Sequence, residues 1–181
     1  MPVLEKITQR FPQAVLETHA FRGDETALVK KESIHGVLEF LKTGPELDFN
    51  VLMDIAGVDY LHFDPAGQST APQSQTTPAM SASWRFEVVY HLYSVAKKQG
   101  PVVLKVRAPR ELDQCRVPSL TPLWRGCEFQ EREAYDLVGI HFEGHPDLRR
   151  ILMWEGFEHY PLRKDYVQED QDREIDVRDS S

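Results

Sequence analysis

Glu131, His141 and His145, followed by the basic pairs Arg149-Arg150 and Arg163-Lys164, are the residues whose types and spacing raise the question of chemistry. A carboxylate near two imidazoles is the raw material of general acid–base catalysis or of a divalent metal site. The two histidines stand four apart, which on a helix would align both imidazoles, but Gly144 and Pro146 break the helix that such a site needs. His141, His145 and His159 therefore read as loop histidines that hydrogen-bond or pack, even with Glu143 and Asp147 close by. No serine has the context of a nucleophile elbow, and no Gly-rich loop fits a phosphate-binding fingerprint. A small soluble acid–base or metal-dependent enzyme using Glu131, His141 and His145 stands as the competing class. The reading it competes with is a docking protein without a catalytic site of its own.

Docking is suggested by the company the charges keep. Arg149-Arg150 and Arg163-Lys164 sit beside Ile151, Leu152 and Tyr166 in chain that Gly144, Pro146, Gly156 and Pro161 keep irregular. Arginine beside apolar and aromatic anchors is the composition of a buried interface patch. His145, Asp147, Arg149, Arg150, Arg163, Lys164, Asp165 and Tyr166 are accordingly the candidate partner contacts.

The element that must position these residues is a helix between Thr121 and Val138, in which Gly126 weakens the first turns and leaves the start open to either side of it. At about 100° per residue it gathers Leu123, Cys127, Ala134 and Val138 on one face, with Glu131 in the middle of that face. A carboxylate buried there needs a cationic or donor partner, and Arg149 or Arg150 is expected to fold back and supply it. Arg132 and Asp136, at i and i+4 on the opposite face, read as an exposed pair contributing little. Glu131, Arg132, Glu133 and Asp136 together form the expected structural ion-pair set.

Upstream, Val3, Leu4, Ile7 and Phe11 predict a short helix stopped at Pro12. Ala14 to Phe21 and Thr26 to Lys31 predict a hairpin turning at Arg22-Gly23-Asp24-Glu25. Ser33 can cap a helix carrying Ile34, Val37, Leu38 and Leu41 and ending near Gly44-Pro45. Asp48 is expected to cap one further turn with Phe49, Leu52 and Ile55, before extended chain from Val58 to Phe63. Residues 64–83, rich in Pro, Ser, Thr, Gln and Ala, are expected to be a mobile loop. Trp84, Phe86, Val88, Tyr90 and Leu92 alternate with a mixed second face, and Val102, Leu104 and Val106 continue the pattern. The expected fold is a two-layer α+β domain, a mixed sheet of about five strands covered on one side by helices, over residues 1–140. Residues 141–181 are expected to be an extended arm ending in a solvated acidic tail.

Composition excludes several classes. The chain has 181 residues, 41% of them hydrophobic, which suffices for one core. A net charge of −8 argues against non-specific binding to nucleic acid or to an anionic membrane surface. Two cysteines, Cys115 and Cys127, are too few for a disulfide framework, a four-cysteine zinc site or an iron–sulfur cluster held by this chain alone. The N-terminal residues lack the apolar core of a signal peptide, and no run is long enough to insert in a bilayer, so membrane association is expected through a partner.

Glu131-Arg132-Glu133-Ala134-Tyr135-Asp136-Leu137-Val138-Gly139-Ile140, Gly144-His145-Pro146-Asp147-Leu148-Arg149-Arg150-Ile151-Leu152 and Pro161-Leu162-Arg163-Lys164-Asp165-Tyr166 carry a resemblance. With Phe86 to Leu92 and Val117-Pro118-Ser119-Leu120, they make the chain similar to the C subunit of respiratory NADH:quinone oxidoreductase, complex I of the bacterial type. The resemblance runs over most of residues 30–166. It departs at Phe129, where Trp is usual, at Val138, where Phe is frequent, and at His159-Tyr160, often Gly-His. It implies a non-catalytic scaffold in the peripheral arm of a proton-translocating complex, docked on the quinone-site subunit and held at the cytoplasmic face of the bacterial inner membrane. It also implies that FMN and iron–sulfur clusters belong to partner subunits, with no cofactor in this chain. The corresponding subunits of membrane-bound hydrogenases and of other-donor dehydrogenases share parts of the signature, so an equivalent place in such a complex is the alternative.

Overall fold

The structure is a computed structural model that describes residues 2–61, 83–111 and 113–167. The loop expected over 64–83 lies outside the described residues apart from Ser83, as does the acidic tail beyond Val167. Elements run α1 (Val3–Arg10), β1 (Val15–Phe21), β2 (Asp24–Val29), α2 (Ile34–Thr43), β3 (Val51–Asp59), β4 (Trp84–Ser94), β5 (Gln99–Pro109), β6 (Arg116–Pro118), α3 (Cys127–Val138) and β7 (His141–Glu143). β1 to β5 form one mixed sheet in the order β1-β2-β5-β4-β3, parallel between β2 and β5 and otherwise antiparallel. The expected two-layer α+β fold, with a five-stranded mixed sheet, is borne out.

The core forms because the strand period and the helix period present apolar residues to the same space. Phe86, Val88, Tyr90 and Leu92 of β4 and Val102, Leu104 and Val106 of β5 face Ile7 of α1, Leu38 and Leu41 of α2 and Ala134 and Val138 of α3. Each fully buried side chain of this size contributes roughly 1.5–3 kcal/mol of transfer free energy. The other face of β4 and β5 carries the ladder pairs Glu87 with Arg107 and Val89 with Lys105. There Glu87 meets Lys105 at 3.1 Å and accepts from the Tyr60 hydroxyl at 3.0 Å.

Three boundaries differ from expectation for physical reasons. The β1–β2 turn is tighter than the four residues 22–25, because Arg22 (φ 53°) and Gly23 (φ 96°) make a two-residue connection and Phe21 already pairs with Asp24. Such left-handed two-residue turns match the twist of a hairpin. The helical turn expected after Asp48 is absent: Val51–Asp59 is a single strand, with Ile55 in the core. Its alternation is hidden by Gly57 and Asp59, which occupy core-side positions, and by a bulge between Leu52 and Asp54. The chain after α3 is less irregular than expected at one point, where β7 pairs in parallel with β6 and buries Phe142.

α3 begins at Cys127, after Gly126, and ends at Gly139 in the left-handed region (φ 82°), whose N–H donates to the carbonyls of Ala134 and Tyr135. A side chain at Gly139 would collide with Arg163 and Tyr160, so this glycine serves both the helix end and the close approach of the later chain. At Gly57 an added Cβ would press on Ile140, Val138 and Ala134, so α3 lies close against β3.

Candidate docking arm

Residues 144–167 follow the outside of α3 without helix or strand, and α3 itself supplies partners for their backbone. Arg132 donates from Nε to the carbonyl of Arg149 at 3.1 Å and from Nη2 to that of Arg150 at 2.9 Å. One turn later, Asp136 Oδ2 accepts three consecutive backbone N–H groups, those of Ile151 (2.9 Å), Leu152 (2.7 Å) and Met153 (2.8 Å). Its Oδ1 accepts from Arg150 Nη1 at 2.6 Å. Successive N–H groups converging on one carboxylate make an anion nest. Burial alone would push the Asp136 carboxyl up, but the donors from Met153, Arg150, Ile151 and Leu152 outweigh it and hold it below the usual carboxylate range.

This corrects the reading of Arg132 and Asp136 as an exposed pair. Both are buried, Asp136 completely, and they hold the arm instead of each other. The helical spacing places them on one face as expected. Chain without periodicity packs over that polar face, and spacing alone does not show it.

Glu131 is also fully buried, but its partners are the Ser119 hydroxyl at 2.6 Å and the Leu120 N–H at 2.6 Å. The expected arginine does not reach it. Arg150 is committed to Asp136 and to the His159 carbonyl, while Arg149 pairs with Asp147 at 2.8 Å on the surface. Burial raises the Glu131 carboxyl above its ordinary value, offset in part by Ser119, Leu120, the His145 imidazole and the Cys127 thiol. Glu133, the remaining member of the expected ion-pair set, is exposed and has no ion pair among the described residues.

The histidines are placed separately. His145 Nδ1 accepts from the Asp147 N–H at 3.0 Å, which leaves Nε2 to donate to the Glu128 carbonyl at 3.0 Å. His141 packs edge-on against Tyr135, and His159 lies against Phe157 and Tyr166. Among the described residues no group of three or more His, Cys, Asp or Glu could hold a metal ion. Cys115 and Cys127 are free and buried; burial pushes the Cys115 thiol up to about 11 and raises that of Cys127 further.

A second fastening secures the end of the arm. Arg85, at a bulge in β4, donates to both oxygens of Asp59 (2.8 and 2.6 Å) and to both of Asp165 (2.9 and 2.7 Å). The Lys164 N–H donates to Asp59 Oδ2 at 2.9 Å. Arg163 donates to the Val138 carbonyl and stacks over Tyr160 at 4.2 Å and Phe86 at 5.0 Å. Neither Asp59 nor Arg85 stands out in the sequence; the visible signal is two opposite charges flanking a strand pair with strong apolar alternation.

Of the candidate contacts, Arg150, Arg163 and Asp165 are thus engaged within the chain, and Tyr166 is half-buried against Phe157 and His159. Arg149 and the Lys164 side chain remain exposed. Because their N–H groups are turned into Asp136, Ile151 and Leu152 point outward, and Leu152 is 62% and Trp154 60% exposed. Leu162 is similarly exposed.

Residues 27–172 match the family described as Respiratory-chain NADH dehydrogenase, 30 Kd subunit. The chain belongs to this family. It is 39% identical over 169 residues to the NADH-quinone oxidoreductase C subunit of Geotalea uraniireducens (strain Rf4), covering 93% of this chain and 88% of the relative. To the NADH-quinone oxidoreductase C subunit of Roseiflexus sp. (strain RS-1) it is 43% identical over 163 residues, covering 90% and 81%. Among solved structures it resembles the trypsin-resistant fragment (1-134) of Nqo5, at 32% identity and a TM-score of 0.55, over 81% of this chain and 96% of that one. A chain of the membrane-bound sulfane sulfur reductase, an archaeal respiratory membrane complex, superposes with a TM-score of 0.70 over 99% of this chain and 94% of that one. At 24% identity that likeness shows a shared fold. Family membership agrees with the resemblance carried by Glu131 to Ile140, Gly144 to Leu152 and Pro161 to Tyr166.

Proposed function

We propose that this chain is a non-catalytic scaffold subunit of a proton-translocating NADH:quinone oxidoreductase, built into the peripheral arm and docked on the quinone-site subunit. FMN and the iron–sulfur clusters belong to partner subunits, and the chain sits at the cytoplasmic face of the bacterial inner membrane through those partners alone. Among the described residues no helix is long and apolar enough to cross a membrane, which accords with attachment through partners.

The observation that carries this reading is the arm: chain without a core of its own, clamped by Arg132, Asp136 and Arg85, that turns Ile151, Leu152, Trp154 and Leu162 to the outside. Apolar side chains fixed in place before contact lose little entropy when a partner covers them, and such residues carry most of the affinity of an interface. Charges that sequence reasoning assigned to the partner hold the arm rigid instead, leaving Arg149 and Lys164 as the rim.

Replacing Leu152 and Trp154 together by Glu tests it. The isolated variant should keep a cooperative melt and lose no more than about 1.5 kcal/mol, because both side chains are largely exposed and only the edge contact of Trp154 with Phe157 is given up. The same variant should no longer co-purify with a cluster-bearing, quinone-reducing assembly. Full assembly and full NADH-dependent quinone reduction with the variant would refute the reading.

A further inference from the structure

A second surface lies where the sheet ends and shares only Leu162 with the outward apolar row of the arm. β3 is an edge strand, so among the described residues nothing pairs with its outer side. The Tyr60 N–H donates to the Arg85 carbonyl, which fixes the alternation of the β3–β4 ladder. Ala56 and Val58 therefore turn their backbone groups toward β4, whereas Ile55 and Gly57 turn theirs outward.

A groove of about 240 Å³ runs along this edge. Its near wall is the consecutive stretch 54–57, whose side chains alternate between the two faces of the sheet; what they share, and what borders the groove, is the backbone edge. Its far wall is Glu133, Ala134, Leu137 and Val138 at α3, and Leu162 of the arm also lines it. The stretch is bounded by Met53, whose carbonyl accepts from Gln130 at 3.2 Å, and by Asp59, whose side-chain Oδ2 accepts from the Lys164 N–H. Between them stay two outward N–H and two outward C=O groups, those of Ile55 and Gly57.

The rim has one sign. Asp54 and Glu133 stand on opposite walls, and among the described residues no Lys or Arg pairs with either; the His91 imidazole, 3.9 Å from Asp54, is the nearest approach. Met53 and Phe129, both more than half exposed, add apolar surface on the strand and helix that bound the groove. An unpaired strand edge facing a helix across an apolar trough is the geometry in which an extended segment adds as a further strand. Glu133, unpaired among the described residues, and Asp54, whose neighbour is the His91 imidazole, call for a cationic residue in that segment.

We infer that the groove between the β3 edge and α3 takes an extended segment of another protein of the complex, paired to Ile55 and Gly57, with a Lys or Arg held by Asp54 and Glu133. The site rests on the reading of the chain as one member of a complex, and it is a contact separate from Ile151, Leu152 and Trp154 of the arm, with Leu162 common to both. It also accounts for how an edge strand with bordering apolar side chains escapes pairing with other copies, since the segment covers it in the assembly.

Amide hydrogen exchange on the intact complex and on the free full-length chain tests this. The Ile55 and Gly57 amides should exchange at least tenfold more slowly in the complex than in the free chain. A full-length variant with Asp54→Lys and Glu133→Lys should melt as the parent does, lose that protection and dissociate from the complex at lower salt. Equal exchange in complex and free chain would overturn the inference while leaving the scaffold reading intact, and so would protection that grows with the concentration of the free chain alone, which would assign the groove to a second copy. A chain that joins no respiratory complex would remove both.

Discussion

The sheet core and the arm are ordered by different forces. Phe86, Val88, Tyr90 and Leu92 are held because water is excluded from them and apolar side chains pack closely around them. The arm is held where Arg132 and Asp136 take up backbone carbonyls and amides, and where Arg85 bridges Asp59 to Asp165. Burial removes from the surface the apolar side chains it orders. Backbone clamping leaves them free, so a partner surface can be rigid and still uncovered.

The sharpest way to break this contrast is at Asp136. Asp136→Ala leaves Arg150 and three adjacent N–H groups without their acceptor, and losing one partner of a buried pair costs about 3–5 kcal/mol. If the clamp acts on the arm in particular, limited proteolysis should cut within 144–167 early in this variant while the preceding residues stay resistant. Simultaneous cleavage throughout would mean that core and arm are a single cooperative unit.

Acidity should separate the regions more gently. Asp136, Asp59 and Asp165 have carboxyls lowered in the folded protein, so their contribution is present above the unfolded carboxylate pKa of about 4 and is lost as pH falls through the folded values. Glu131 is raised, so its contribution is complete below its unfolded pKa and is lost as pH rises through the folded one. Acid therefore loosens the arm and favours the socket beneath α3. Glu131→Gln, which cannot titrate, should remove the loss at rising pH; comparing denaturant midpoints of parent and variant across pH reads the shift at about 1.4 kcal/mol per pKa unit. A parent and variant that run parallel across pH would mean the carboxyl does not change state there.

The smallest effect is expected at the far fastening. Asp165 is half exposed, so Asp165→Asn should change global stability by less than about 1 kcal/mol. Faster exchange of the Lys164 amide, with the core amides unchanged, would show that Arg85 and Asp165 secure the arm locally.

What can be read from the sequence follows the same division. The apolar residues at every second position of β4 and the helical spacing of Ile34, Val37, Leu38 and Leu41 announce the core, because burial writes a period into the chain. The inward position of Glu131 is legible for the same reason. Its partners are not, since a hydroxyl and an amide at Ser119 and Leu120 carry no pattern that distinguishes them from any other loop. Asp136 escapes a sequence reading because its ligands are backbone N–H groups, which every residue except proline possesses. β3 escapes it because Gly57 leaves room for α3 at the position where an apolar residue would have marked the strand.

Asp136 and Arg132 also impose an order in time. A ribosome makes α3 before the arm, so the carboxylate and guanidinium that will grip residues 149–153 exist before those residues emerge. Until then both polar groups lack these partners, and the nascent domain presents an empty receptor for a segment still to be made. A chain whose synthesis stops short of Arg149 would keep that receptor open, and would carry a charged, unfilled seam in place of the apolar row on which a partner closes.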